Sequence, residues 1–198
     1  MKKWIFFLLL VLALGGVVYW QYQEYLDRPE NKTIRLVKHT SLQVSKALSY
    51  EIEDSTEKAK SGYTDLFSHL EMHLAELNND VSELQKMGDP KKRAGEKLYE
   101  ATIYIQRSQQ LLRTEYDKFI KLREYTDALK TIQIKETEVT AKEDVNSKEI
   151  EYKKSKEGFV LALRKFGEAF DPAEKSIGKE NLVEKKMIDQ ILMKYGKN

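Results

Sequence analysis

The chain predicts an all-α fold: an N-terminal transmembrane helix, then a long antiparallel, coiled-coil-like helical hairpin with a third helix, forming an elongated bundle. Three observations carry that expectation. Glycine and proline number only nine and three in 198 residues, too few turn residues for an all-β or dinucleotide-binding α/β fold. Residues 4–20 are uncharged and overwhelmingly apolar. Beyond them, apolar positions recur at three- and four-residue steps in a chain that is 33% charged, the pattern of helices with one buried stripe.

The first element is the run Trp4 to Trp20, preceded by Lys2 and Lys3. As a helix it reaches about 26 Å, just enough for the hydrocarbon core of a bilayer. Trp4 marks one interface, and Tyr19, Trp20, Tyr22 and Tyr25 mark the other, where amphipathic rings sit at headgroup level. The lysines belong in the cytoplasm, which sends the rest outside. A cleaved signal peptide is the competing reading, because Ala13 and Gly15 are small residues at suitable spacing. Val17 to Trp20 stay apolar beyond them, which favours an uncleaved anchor. The implied organisation is 1–3 cytoplasmic, 4–20 transmembrane signal-anchor, 21–30 juxtamembrane linker, 31–170 hairpin or bundle, and 171–198 short amphipathic helices. The location is a single-pass protein of the cytoplasmic membrane, its bulk extracytoplasmic, or periplasmic in a Gram-negative cell.

Pro29 marks the exit from the membrane helix, with Asn31 or Thr33 opening the next one. From there to Met87 only Gly62 interrupts the pattern, and a continuous or merely bent helix is expected. Its second half carries a packing seam: Tyr63, Phe67, Leu70, Leu74, Leu77, Val81 and Leu84, at alternating steps of four and three. Its first half is looser, with Ile34, Val37, Val44, Leu48, Ile52 and Ala59.

"MGDPKK" is the clearest punctuation. Gly88 suits a helix end, Asp89 a cap and Pro90 a first turn, and so short a connection makes antiparallel neighbours. The returning arm carries Leu98, Ala101, Ile105, Leu112, Phe119, Leu122 and Leu129, with Ser108, Glu115 and Thr126 as weak steps. A single helix from Lys91 to Phe170 would run about 120 Å against about 85 Å for the first arm. A turn within 136–148 is therefore expected, where Thr140 with Glu143 and Asn146 with Glu149 offer capping boxes. The third helix follows, with Val145, Tyr152, Phe159 and Phe166 every seven residues and Leu163 and Phe170 between them. The pairs Asp144–Lys148 and Glu149–Lys153 support its polar stretch. "FDPAEK" then reads as a restart, with Asp171 capping, Pro172 in the first turn and Gly178 ending it. The last segment, with Leu182, Met187, Ile188, Ile191, Leu192 and Tyr195, is amphipathic and expected to pack on the bundle.

Little of this looks like chemistry. The net charge is +2, which gives nucleic acid no electrostatic foothold. Cysteine is absent, excluding disulfides, thiolate catalysis and cysteine-ligated zinc. No phosphate-binding loop, nucleophile elbow or dinucleotide fingerprint appears. "SHLEMHLAEL" superficially suggests a zinc-protease helix, but Leu70 occupies the slot after His69 where the base would sit. His69, His73, Glu76 and Asp80 do share one stripe beside the seam, the one candidate metal set. The competing reading makes that stripe the polar, water-facing flank of the coiled coil. The short basic runs Lys91–Arg93 and Lys153–Lys156 read as solvated surface. Tyr99, Tyr104, Tyr116 and Tyr125 read as packing edges.

The expectation is a non-enzymatic, membrane-anchored scaffold, assembly or interaction protein of the cell envelope, without cofactor. It would associate through helix faces with an envelope protein or with copies of itself. The alternatives are an extracytoplasmic ligand-binding or sensory bundle signalling through a partner, and a metal-binding bundle. An anchor followed by an exported hairpin resembles the membrane-fusion adaptors in architecture alone, and the β-rich modules of such adaptors have no place in this chain.

Overall fold

The computed structural model describes residues 2–52, 64–87, 95–134, 139–178, 182 and 185–195. Within them it describes the side chains except those of residues 2–10, 13, 26, 27, 64, 95–98, 133, 134 and 139–141. The described residues form six helices and no strand: α1 (Lys2–Asp27), α2 (Pro29–Ile52), α3 (Thr64–Lys86), α4 (Gly95–Ile134), α5 (Val139–Ile177) and α6 (Lys185–Tyr195).

α1 and α2 are separated by Arg28 alone. The expected linker over 21–30 is therefore helical almost throughout, with Pro29 itself as the first residue of α2, a position where its missing N–H costs nothing. Thr33 is no cap: its hydroxyl donates back to the Pro29 carbonyl at 2.7 Å. Asn31 donates its side-chain amide to the Tyr25 carbonyl at 2.7 Å, tying the new helix to the end of the old one. Along α1, Val11, Leu12, Leu14, Val17, Val18, Tyr19 and Trp20 are all exposed. No helix, over the described residues, is long and apolar enough to cross a membrane. Residues 4–10 of the expected span lie outside the described side chains.

The largest departure from expectation lies between α2 and α3. They are two antiparallel helices, not one rod: Lys32 meets Glu83, His39 meets Asp80, and Tyr50 meets His69. Gly62 and Ala59 lie outside the described residues. The reversal has a packing reason. A rod from 31 to 87 would give the stripe Val37, Val44, Ala47 and Leu48 one neighbour, whereas the folded-back α2 buries it against α3, α4 and α6. Ile52, expected in that stripe, is exposed.

α4 returns antiparallel to α3, with Gln109 on Asn78 and Tyr116 on Glu71, as the expected tight connection requires. Gly88, Asp89 and Pro90 lie outside the described residues. Ser108 and Glu115, the weak steps of the returning arm, are fully buried, while Leu129 is exposed. α5 runs antiparallel to α4, with Tyr104 against Phe166 and Tyr125 stacked on Tyr152. α4 ends at Ile134 and α5 begins at Val139; residues 135–138, where the expected window opens, lie outside the described residues. Asn146 caps nothing, since it lies inside α5. Glu149–Lys153 forms at 2.6 Å, but Lys148 reaches across to Glu124 on α4.

The expected restart at "FDPAEK" does not occur, because α5 carries Pro172 inside it. An interior proline costs about 3 kcal/mol. The stripe Phe159, Leu163, Phe166, Phe170, Ala173 and Ile177 is buried straight through it, and that burial offsets the cost. Asp171, expected as a cap, instead pairs with Lys185 at 2.6 Å. Gly178 does end the helix, at φ 103°, where a left-handed residue is needed. α6 packs on the bundle as expected, burying Ile188 and Ile191. It runs parallel to α2, with Met187 at Ser45 and Tyr195 at Glu51. The result is four up-and-down helices around one core, with α6 filling the remaining side.

Candidate functional site

The seam of α3 has two stripes rather than one, because α3 packs on both α2 and α4. Leu66, Leu70, His73, Leu77, Asp80 and Leu84 are buried, and Phe67, Leu74 and Val81 are partly buried beside them. Tyr63 lies outside the described residues. Two members of the polar stripe therefore sit in the seam, His73 at 2% and Asp80 at 5% exposed, which corrects the water-facing reading for them. His69 is exposed and Glu76 half-exposed.

Each member of the stripe has a partner. Asp80 receives Thr40 Oγ1 at 2.8 Å and faces His39 Nδ1 through both carboxylate oxygens, at 3.0 and 2.8 Å. His73 Nδ1 lies 2.6 Å from Gln43 Oε1, and Gln43 Nε2 lies 3.0 Å from His39 Nε2. Glu76 stands 3.9 Å from the same His39 nitrogen. His69 Nδ1 meets the Tyr50 hydroxyl at 2.8 Å. Burial pushes the Asp80 carboxyl up, with His39 and Thr40 pulling the other way. Burial, then the charges of Lys46 and His69, hold His73 below the ordinary histidine range.

On α2, His69 thus turns to Tyr50 and His73 to Gln43, while Glu76 and Asp80 both face His39. Among the described residues no group of three or more His, Cys, Asp or Glu side chains could hold a metal ion. His39 was absent from the sequence-derived set. Its signal was that it precedes Thr40, a buried position seven residues after buried Thr33.

A second constellation lies deeper. Lys118 and Glu51 form an ion pair whose side chains are both 2% exposed. Tyr195 closes it from α6, its hydroxyl donating to Glu51 Oε2 at 2.6 Å while standing 3.3 Å from Lys118 Nζ. Lys194 donates to the Glu51 carbonyl at 2.5 Å, satisfying a helix-end carbonyl. The Lys118 ammonium also lies 4.2 Å from the centre of Phe119 and 4.5 Å from that of Phe159, within cation–π range. Burial, then the positive charges of Lys194 and Lys156, draw Lys118 well below the usual lysine range. Burial, then the charges of Tyr152 and Glu115, push the Tyr195 hydroxyl up. Sequence reading missed this cluster, although Tyr104, Leu111 and Lys118 recur every seven residues and are all buried. Glu51 likewise continues the buried steps Val44 and Leu48.

Two surface grooves lie apart from these clusters. One, of about 430 Å³, runs between α3 and α4 beside Phe67, Glu71, Tyr116 and Arg123. The Tyr116 hydroxyl donates to Glu71 there at 2.7 Å. The other, of about 380 Å³, lies along α5 and α6 beside Lys153, Lys156, Leu161, Arg164 and Tyr195. At the α1 end of the bundle, hydrogen bonds from Lys32 and Lys86 hold the Glu83 carboxyl down to about 2. Of the four tyrosines on the returning arm, Tyr104 is buried and Tyr99 exposed. Lys91–Arg93 lie outside the described residues.

No protein-family model matches the chain, and neither a curated protein nor a solved structure matches it.

Proposed function

We propose that this chain is a non-enzymatic, membrane-anchored helical scaffold of the cell envelope. In this reading α1 sits in the cytoplasmic membrane, the bundle stands outside the cytoplasm, and the protein works by association with another envelope protein or a second copy. The observation that supports it most is the surface of α1. Seven consecutive described apolar or aromatic residues other than glycine, Val11 to Trp20, are each 51–66% exposed. Soluble proteins rarely leave so much contiguous apolar surface uncovered. Lipid would cover it, and Trp4 to Trp20 has the length to span. Because the seam Phe67–Leu84 is closed inside the chain, association would use α1 or the outer helix faces, not the seam.

Fractionation and crosslinking test this. The full chain should stay with membranes through an alkaline carbonate wash, and removal of residues 1–20 should release it. In intact cells, crosslinking should give a dimer or a defined heterocomplex. Release of the full chain by carbonate would overturn the anchor, and monomer alone, with no co-purifying protein, would overturn the scaffold.

A second reading, an extracytoplasmic sensory bundle, is favoured by the polar line that runs inward from half-exposed His39 through Gln43 to buried His73 across α2 and α3. A ligand-dependent rise in melting temperature of the full chain would select it over the scaffold.

A further inference from the structure

Each polar atom between His39 and His73 has one available role. Gln43 Oε1 only accepts, so His73 Nδ1, 2.6 Å away, carries its ring's proton and donates. Gln43 Nε2 only donates, so His39 Nε2, 3.0 Å away, accepts. His39 then keeps its proton on Nδ1 and gives it to Asp80, which Thr40 also holds. The arrangement is self-consistent only with His39 neutral.

The same atoms admit one other consistent arrangement. If His39 gains a proton, its Nε2 becomes a donor facing the Gln43 NH₂, two donors 3.0 Å apart. Turning the amide over removes that clash, placing Gln43 Oε1 on His39. It also places the Gln43 NH₂ on His73 Nδ1, which must now accept, so the proton of His73 moves to its Nε2. At His73 one N–H bond breaks, at Nδ1, and one forms, at Nε2, with water taking the proton from the first nitrogen and returning one to the second. The one proton gained overall stays on His39.

We propose that Gln43 is a two-state relay. Uptake of a proton by His39, at the edge of the α2–α3 interface, turns the amide over and switches the tautomer of His73 in the core. His39 is reachable from solvent, its side chain being 38% exposed, whereas Gln43 and His73 are 7% and 2% exposed. An acid signal at the surface is thereby carried inward along one line. The charged and titratable groups acting on the line come from α2 and α3: Lys46 from α2, and His69, Glu76 and Asp80 from α3. Burial, then the charges of Lys46 and His69, hold His73 below the ordinary histidine range, and its 2.6 Å hydrogen bond to Gln43 gives it a tautomer to change. Protonated His39 would stand between Asp80 and Glu76, drawing α2 and α3 together in acid. The relay goes beyond the scaffold reading, since it depends on the α2–α3 geometry and not on the membrane.

The chain has three histidines, so two-bond ¹H–¹⁵N spectra of the histidine-labelled full chain in detergent micelles resolve each tautomer from pH 8 to 5. His73 should show a protonated Nδ1 at high pH and a protonated Nε2 at low pH. Its change should share the midpoint of the His39 titration. In Gln43→Leu, His39 should still titrate while His73 no longer follows. In His39→Asn, His73 should hold one tautomer throughout, and this arm decides alone if Gln43→Leu fails to fold by circular dichroism. A His73 tautomer that never changes in the wild type while His39 titrates overturns the relay. So does a switch that persists in folded His39→Asn.

Discussion

Lys118 is nearly inaccessible, and its ammonium meets Glu51, the Tyr195 hydroxyl and two phenylalanine rings. Such a group is costly to bury and more costly to leave alone. Deleting one partner of a buried pair typically costs about 3–5 kcal/mol, whereas replacing the whole set by apolar groups of similar shape is often near neutral. Lys118→Met should therefore lower the urea-unfolding free energy of the full chain in micelles by about 3–5 kcal/mol. The triple replacement Glu51→Leu, Lys118→Met, Tyr195→Phe should recover most of that loss. If the single change costs less than about 1 kcal/mol, the pair is not closed from water in the way its burial implies. The same residues show what sequence spacing conceals. Lys118 and Glu51 lie on core positions by their heptad steps, yet a charged residue at such a step is ordinarily assigned to the flank. Only the meeting of α2, α4 and α6 makes the burial of both intelligible.

The helices themselves were legible where one apolar stripe faces one neighbour. The stripe from Phe159 to Phe170, the stop at Gly178 and the docked α6 follow directly from spacing and from glycine chemistry. Legibility failed where two local signals competed with burial. Asp171 and Pro172 are good start residues, but Ala173 and Ile177 extend the buried stripe and carry the helix through them. The polar stripe of α3 was misplaced for a related reason: a helix with two neighbours buries two stripes, and His73 and Asp80 fall on the second. A glycine inside α5 and the one just after it separate helix propensity from the left-handed stop experimentally. An added Cβ at Gly158 meets nothing within 4 Å, so Gly158→Ala should raise stability by about 0.5–1 kcal/mol through the unfolded chain. Gly178 has φ 103°, where alanine is strained, so Gly178→Ala should lower stability by about 1–2 kcal/mol. Urea unfolding of the two variants should move in opposite directions. Equal shifts would mean that helix propensity alone, and not the left-handed stop, sets the end of α5.

Across the whole molecule the decisive feature is the reversal between Ile52 and Thr64, which turns an expected rod into a hairpin and so adds one helix to the bundle. Spacing alone did not reveal it, because Gly62 is as compatible with a bent helix as with a turn. The selecting force is collective: folding back lets Val37, Val44 and Leu48 join a core shared with α3, α4, α5 and α6. It also creates the polar line between His39 and His73, which a rod would pull apart. The two architectures differ by a distance that one measurement resolves. Lys38 and Asn79 are both exposed, and cysteine is absent from the chain, so a cysteine pair at these positions takes spin labels cleanly. In a continuous helix the labelled positions would lie about 60 Å apart. In the hairpin they flank the His39–Asp80 contact and lie on neighbouring helices, whose axes are about 8–10 Å apart. Double electron–electron resonance on the full chain in micelles should give one short distance population. A population near the rod value would remove the hairpin, and with it the relay and the shared core.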